Sequence, residues 1–138
     1  MKDPNLDYCP QCQSREVGTA GKLCSVCQQL TLNEFQKRCM DTAIYPDKGS
    51  NLPYTALGLC GESGEVAEKV KKLLRDYDGH LNEERRLAIC KELGDVMWYV
   101  SATVFELGMT LQEVADIALE KYAGRVLRGT LHGDGDDR

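Results

Sequence analysis

The chain has 138 residues, 42% hydrophobic and 28% charged, with 17 Lys and Arg against 22 Asp and Glu for a formal charge of -5. That size and composition suit one small globular domain with a short appendage, and the acidic balance argues against a nucleic-acid binder that neutralises phosphates across its surface. No run of about 18 apolar residues is present and the start, MKDPNLDYCP, lacks the apolar stretch of a secretory leader, so a soluble, cytoplasmic protein without a membrane partner is expected.

Residues 1–30 are poor in aliphatic side chains and cannot build an ordinary core. They contain two Cys-x-x-Cys knuckles, Cys9 with Cys12 and Cys24 with Cys27. In a reducing compartment, four soft thiolates so spaced point to a closed, structural Zn²⁺ site in preference to disulfides or a redox dithiol. A small four-cysteine zinc ribbon or knuckle is expected over 1–30. Its bases Lys2, Arg15 and Lys22 are balanced by Asp3, Asp7 and Glu16, which suits a structural or protein-contact role better than a nucleic-acid clamp.

From residue 31 to 138 the pattern becomes helical. Thr31 to Glu34 reads as a capping box, and Leu32, Phe35, Cys39 and Ala43 continue an apolar face until Tyr45-Pro46 ends the first helix. Pro53 opens a second helix running to about residue 76, with Asp78-Gly79 as the turn after it. A third spans about residues 82–107 and stops before Gly108. Thr110 and Glu113 form another capping box, opening a fourth helix through Val114, Ile117 and Leu127. The expected fold is all-α, a four-helix bundle after the ribbon. Cys39, Cys60 and Cys90 fall within the helical patterns and are expected as small apolar core residues, while His80 and His132 sit in loops without ligand-like partners.

The second helix carries an apolar stripe of Leu59, Val66, Val70, Leu73 and Leu74 with Glu62 and Glu65 on its flank. The third repeats the arrangement, with Ile89, Leu93, Val96, Met97, Val100, Val104 and Leu107 in the stripe and Glu92, Asp95 and Tyr99 to one side. Residues three apart on a helix are neighbours, so two packed helices bring two carboxylate pairs together. Four hard oxygen ligands suit Mg²⁺ or Mn²⁺, whose charge offsets their mutual repulsion. Either Glu-x-x-acid pair alone would read as a solvated face; their recurrence on equivalent flanks, beside Gly58, Gly61 and Gly64, is what suggests a site. Lys69 and Lys72 share that side and are candidates for holding substrate phosphates. The alternative for both is an i to i+4 pairing with Glu65 and Glu68.

These residues resemble the MazG-like members of the all-α nucleoside triphosphate pyrophosphohydrolase superfamily. The resemblance covers residues 32–138 and rests on Thr42-Ala43-Ile44-Tyr45-Pro46, on the segment 57–72 with its Gly61-Glu62-Ser63-Gly64-Glu65 run, on Lys91-Glu92-Leu93-Gly94-Asp95 continuing to Tyr99, and on the tail 128–136. It implies hydrolysis of an NTP or dNTP between the α and β phosphates, yielding a monophosphate and pyrophosphate. It further implies Glu62, Glu65, Glu92 and Asp95 as metal ligands, with Glu62 or Glu65 taking a proton from water, and Lys69, Lys72 and Tyr99 as substrate contacts. It implies homodimers or homotetramers as well. The chain departs from the pattern at Gly61, where a further glutamate is common, and at Ala118, where many relatives carry Asn. Competing readings are a non-catalytic nucleotide-sensing or protein-binding module built around the zinc ribbon, and a related pyrophosphatase for dUTP or phosphoribosyl-ATP.

Overall fold

The structure is a computed structural model describing residues 30–133. The cysteine knuckles expected over residues 1–30 lie outside the described residues. Four helices follow in order: α1 (Leu32–Asp41), α2 (Leu52–Tyr77), α3 (Glu83–Glu106) and α4 (Leu111–Arg128). There is no strand among the described residues, so the expected all-α class holds.

Local chemistry accounts for most helix ends. The Asn51 side chain accepts the Tyr54 amide and Pro53 occupies the first turn of α2, where its missing N–H costs nothing. The helix closes on Asp78 and Gly79, both left-handed at φ 48° and 75°, and the Gly79 amide donates back to Leu73 O at 3.1 Å. Asn82 caps α3 by accepting the Arg85 amide at 2.9 Å. The Thr110–Glu113 capping box opens α4, and Gly129 ends it at φ 67°.

The first helix stops earlier than its apolar pattern suggests. It ends at Asp41, and the Thr42 and Ala43 amides bond three residues back, to Cys39 O and Met40 O. Two side-chain bonds hold this turn. The Thr42 hydroxyl donates to Cys39 O at 2.7 Å, and Trp98 Nε1 on α3 donates to that hydroxyl at 2.9 Å. The chain then runs outside the helix into Pro46, and Tyr45 enters the core.

The helices α2 and α3 pack along one another as an antiparallel hairpin, α1 lies against α3, and α4 touches α1 and α3. Neither α1 nor α4 contacts α2. Among the described residues four helices are therefore present as expected, and they leave the outer side of α2 uncovered. The buried apolar cluster is correspondingly small: Cys39, Met40, Tyr45 and Ala102, with Phe35, Ala43 and Trp98 against it. Buried Gln36 ties the three packed elements together. Its amide donates to Ser101 O and Met109 O, and its carbonyl accepts the Leu111 amide that begins α4.

The apolar stripes are only partly covered. Leu59, Val66, Leu73, Ile89 and Val96 are half-buried between α2 and α3, whereas Leu74 is 64% and Met97 51% exposed, and Val70, Leu93 and Leu107 are exposed too. Cys39 is buried as expected, but Cys60 and Cys90 are exposed. They sit on helix faces that no other part of the described chain covers, which corrects their expected place in the core. Of the three α2 glycines, Gly58 has a packing reason, because a Cβ there would overlap the Tyr99 ring; Gly61 and Gly64 face open space.

Candidate metal centre

Because α2 and α3 run antiparallel, the two acidic flanks meet midway along the hairpin. One carboxylate oxygen from each of Glu62, Glu65 and Glu92 lies within 4.8 Å of the other two; Glu62 and Glu92 are half-buried and Glu65 is exposed. Asp95 is exposed and outside this group of three. Its charge nevertheless acts on Glu62: burial first, then Glu65, Asp95 and Glu92, push the Glu62 carboxyl above its ordinary range. Ligands on opposite sides of one Mg²⁺ stand about 4 Å apart, so the three oxygens need only small rotamer changes to share a cation. A hard, all-oxygen donor set with strained charge fits Mg²⁺ or Mn²⁺.

The lysines divide between the two readings open to them. Lys69 reaches across the hairpin and pairs with Glu92 Oε1 at 3.2 Å, so the cation nearest the cluster partly neutralises it. Lys72 pairs within α2, with Glu68 at 3.1 Å. The Glu68–Lys72 surface pair is thus present, while Lys69 takes a partner on the other helix. Beyond Lys69 lies a cavity of about 180 Å³ to which Lys69, Lys72 and Arg85 contribute.

On the other side of the carboxylates stands an aromatic group. Tyr99 packs over Gly58, meets Trp98 edge-on at 4.9 Å between centroids, and has its hydroxyl under the influence of Tyr54. Tyr54 in turn stacks on Tyr45 at 5.2 Å. Burial first, then Tyr54, Glu62 and Asp95, raise the Tyr99 hydroxyl above its usual value, keeping it a neutral donor. Sequence reasoning missed Tyr54. The available signal was spacing, since Tyr54, Gly58 and Glu62 recur every four residues and so share one face of α2.

Glu106, near the end of α3, was also missed. Its carboxylate accepts the Tyr45 hydroxyl at 2.6 Å, the Gly49 amide at 2.8 Å and the Asn51 amide at 2.6 Å. Burial alone would raise the Glu106 carboxyl, but these donors and Lys48 outweigh it and hold it low. The burial of Tyr45 and the same contact raise the Tyr45 hydroxyl. Glu106 thereby fixes the loop between α1 and α2 and the cap from which Tyr54 and Glu62 are presented.

An acidic centre on two antiparallel helices, flanked by an aromatic group and by cations, occupies the part of the chain that matches the MazG nucleotide pyrophosphohydrolase domain, residues 51–127. The chain belongs to that family. It is 45% identical over 109 residues to the Gene 37 protein of Mycobacterium phage L5, an alignment covering 75% of this chain and 96% of that protein. No solved structure matches it. No helix among the described residues is long and apolar enough to cross a membrane.

Proposed function

We propose that the protein hydrolyses a nucleoside or deoxynucleoside triphosphate to the monophosphate and pyrophosphate, with Glu62, Glu65, Glu92 and Asp95 holding Mg²⁺ or Mn²⁺. The observation that carries this reading is the convergence of three carboxylate oxygens from α2 and α3 within 4.8 Å, in a chain of this family. A divalent cation held there would neutralise triphosphate oxygens and make a water more acidic. The chain's own residues do the rest. Glu62 or Glu65 accepts the proton of the attacking water. Tyr99, a neutral donor beside the cluster, orients the nucleotide from the aromatic side, and Lys69 and Lys72 meet phosphates from the other.

The partner of the uncovered helix faces is a second copy of the chain, in a homodimer or homotetramer. Exposed Leu57, Leu74, Leu93 and Met97 on α2 and α3, and Leu119, Tyr122 and Val126 on α4, support this, since the described residues leave them in water. We also propose that Cys9, Cys12, Cys24 and Cys27, which lie outside the described residues, bind one structural Zn²⁺ as two Cys-x-x-Cys pairs; metal analysis finding no zinc in the purified chain would overturn this.

The test is to incubate the full chain with a panel of NTPs and dNTPs plus Mg²⁺ and to identify the products. Monophosphate and pyrophosphate in equal amounts are expected. Release of orthophosphate, or no turnover of any member by the folded, metal-loaded protein, overturns the reading.

A further inference from the structure

Of the cations around the hairpin cavity, two already have acidic partners: Lys69 pairs with Glu92 and Lys72 with Glu68. Arg85 does not. Among the described residues its contacts are neutral: the guanidinium lies over the Tyr77 ring at 3.6 Å, and Nη1 donates to His80 O at 3.2 Å. Neighbouring Arg86 and Arg75, by contrast, are each tied to a nearby carboxylate. The stack and the carbonyl fix the plane of the Arg85 guanidinium and use one of its five N–H donors, so the others are held ready for an acceptor.

The cavity they border is small, about 180 Å³, with Leu73, Ala88 and Ile89 supplying apolar walls. Apolar walls limit water and strengthen charge pairing inside. The cavity also begins where the carboxylate cluster ends. Lys69 both lines it and touches Glu92, and Lys72 stands seven residues beyond Glu65 on α2, about 10 Å along the axis. Two linked phosphates beyond a phosphorus held at the acidic centre cover part of that distance, and the long Lys72 side chain spans the rest.

We propose that this cavity is an anion site for a diphosphate unit, anchored by Arg85: the two outer phosphates of the substrate before cleavage and free pyrophosphate after it. The inference rests on the proposed hydrolysis and adds a direction to it, with the nucleoside toward Tyr54 and Tyr99 and the departing group toward the α2–α3 turn. Lys69 is shared between the sites. When a diphosphate enters, its negative charge competes with Glu92 for Lys69, freeing that carboxylate for a cation.

Calorimetric titration of the full chain with inorganic pyrophosphate in Mg²⁺, beside titrations with a nucleoside monophosphate and with Mg²⁺ alone, tests the site. Arg85→Gln is expected to weaken pyrophosphate binding about tenfold, the loss of one charge-assisted contact, and to leave the monophosphate and Mg²⁺ unchanged. Arg85→Lys, which restores the charge without the fork, should recover part of the loss. Unchanged pyrophosphate binding in Arg85→Gln, an equal loss of monophosphate binding, or no pyrophosphate binding by the wild type overturns the inference. The two proposals fail separately: pyrophosphate bound through Arg85 by a protein that cleaves no triphosphate would remove the reaction and keep the site, and turnover with pyrophosphate indifferent to Arg85 would do the reverse.

Discussion

Replacing Gly58 with alanine sets two effects of opposite sign against each other. In a helix interior alanine is favoured over glycine by about 1 kcal/mol. At Gly58, however, the new Cβ would stand 2.5 Å from Cδ1 and Cζ of Tyr99 and closer still to Cε1. The ring has little room to yield, since Trp98 packs against it edge-on. Forcing it aside carries an overpacking cost of about 1–3 kcal/mol and weakens an aromatic pair of about 1 kcal/mol. The balance is a net loss of about 1–3 kcal/mol, read as a lower urea midpoint at unchanged slope. Gly64→Ala is the matched control: nothing lies within 4 Å of its Cβ, so it should gain up to about 1 kcal/mol. If Gly58→Ala proves as stable as the wild type, the close packing of Tyr99 on α2 is refuted.

Glu106→Ala should cost about 2 kcal/mol, because it strips the acceptor from the Tyr45 hydroxyl and the Gly49 and Asn51 amides; a thermal midpoint within error of wild type would contradict this. Gln36→Leu should be comparably destabilising, since Met109 O, Ser101 O and the Leu111 amide lose one shared partner, and amide exchange at Leu111 should accelerate. Lys69→Gln should tighten Mn²⁺ binding while raising KM for the triphosphate, as it removes the cation competing for Glu92; weaker Mn²⁺ binding would argue against that competition. The raised Glu62 carboxyl binds its proton more tightly in the folded than in the unfolded chain. The stability it contributes is therefore full below the unfolded pKa of about 4 and is lost as pH rises through the folded value. Mg²⁺ should offset that loss, so its stabilisation, measured as the Tm difference between Mg²⁺ and EDTA, should grow from about pH 4 to about pH 7. A difference that is flat or largest at the acid end would contradict it.

The elements legible in the sequence are those whose causes are local. Pro53, Asp78-Gly79 and the Thr110–Glu113 box mark helix ends through bonds spanning three to six residues, and α2, α3 and α4 begin and end within a residue or two of where those marks place them. The end of α1 depends on Trp98 reaching Thr42 from 56 residues away, and no periodicity carries that. Gln36 and Glu106 were opaque for the same reason, their partners lying 55 to 75 residues distant along the chain. Helical spacing was enough to bring Glu62, Glu65 and Glu92 together, because both pairs flank stripes that pack on each other. It did not foresee that Asp95 would stand outside the closest group or that Lys69 would turn toward Glu92. Periodicity also marks an apolar face without saying what covers it, which is why Cys60, Cys90 and Leu74 read as core and are exposed.

The claim on which the rest depends is that the carboxylates of α2 and α3 hold the divalent cation. Titration of the full chain with Mn²⁺, followed by the loss of the free-ion paramagnetic resonance signal, tests it in wild type, Glu62→Gln and Glu92→Gln, with helical content checked by circular dichroism. The account predicts saturable binding in the wild type and affinity at least about tenfold weaker in each helical variant, as loss of a charged ligand should produce. Unchanged Mn²⁺ affinity in Glu92→Gln would contradict it.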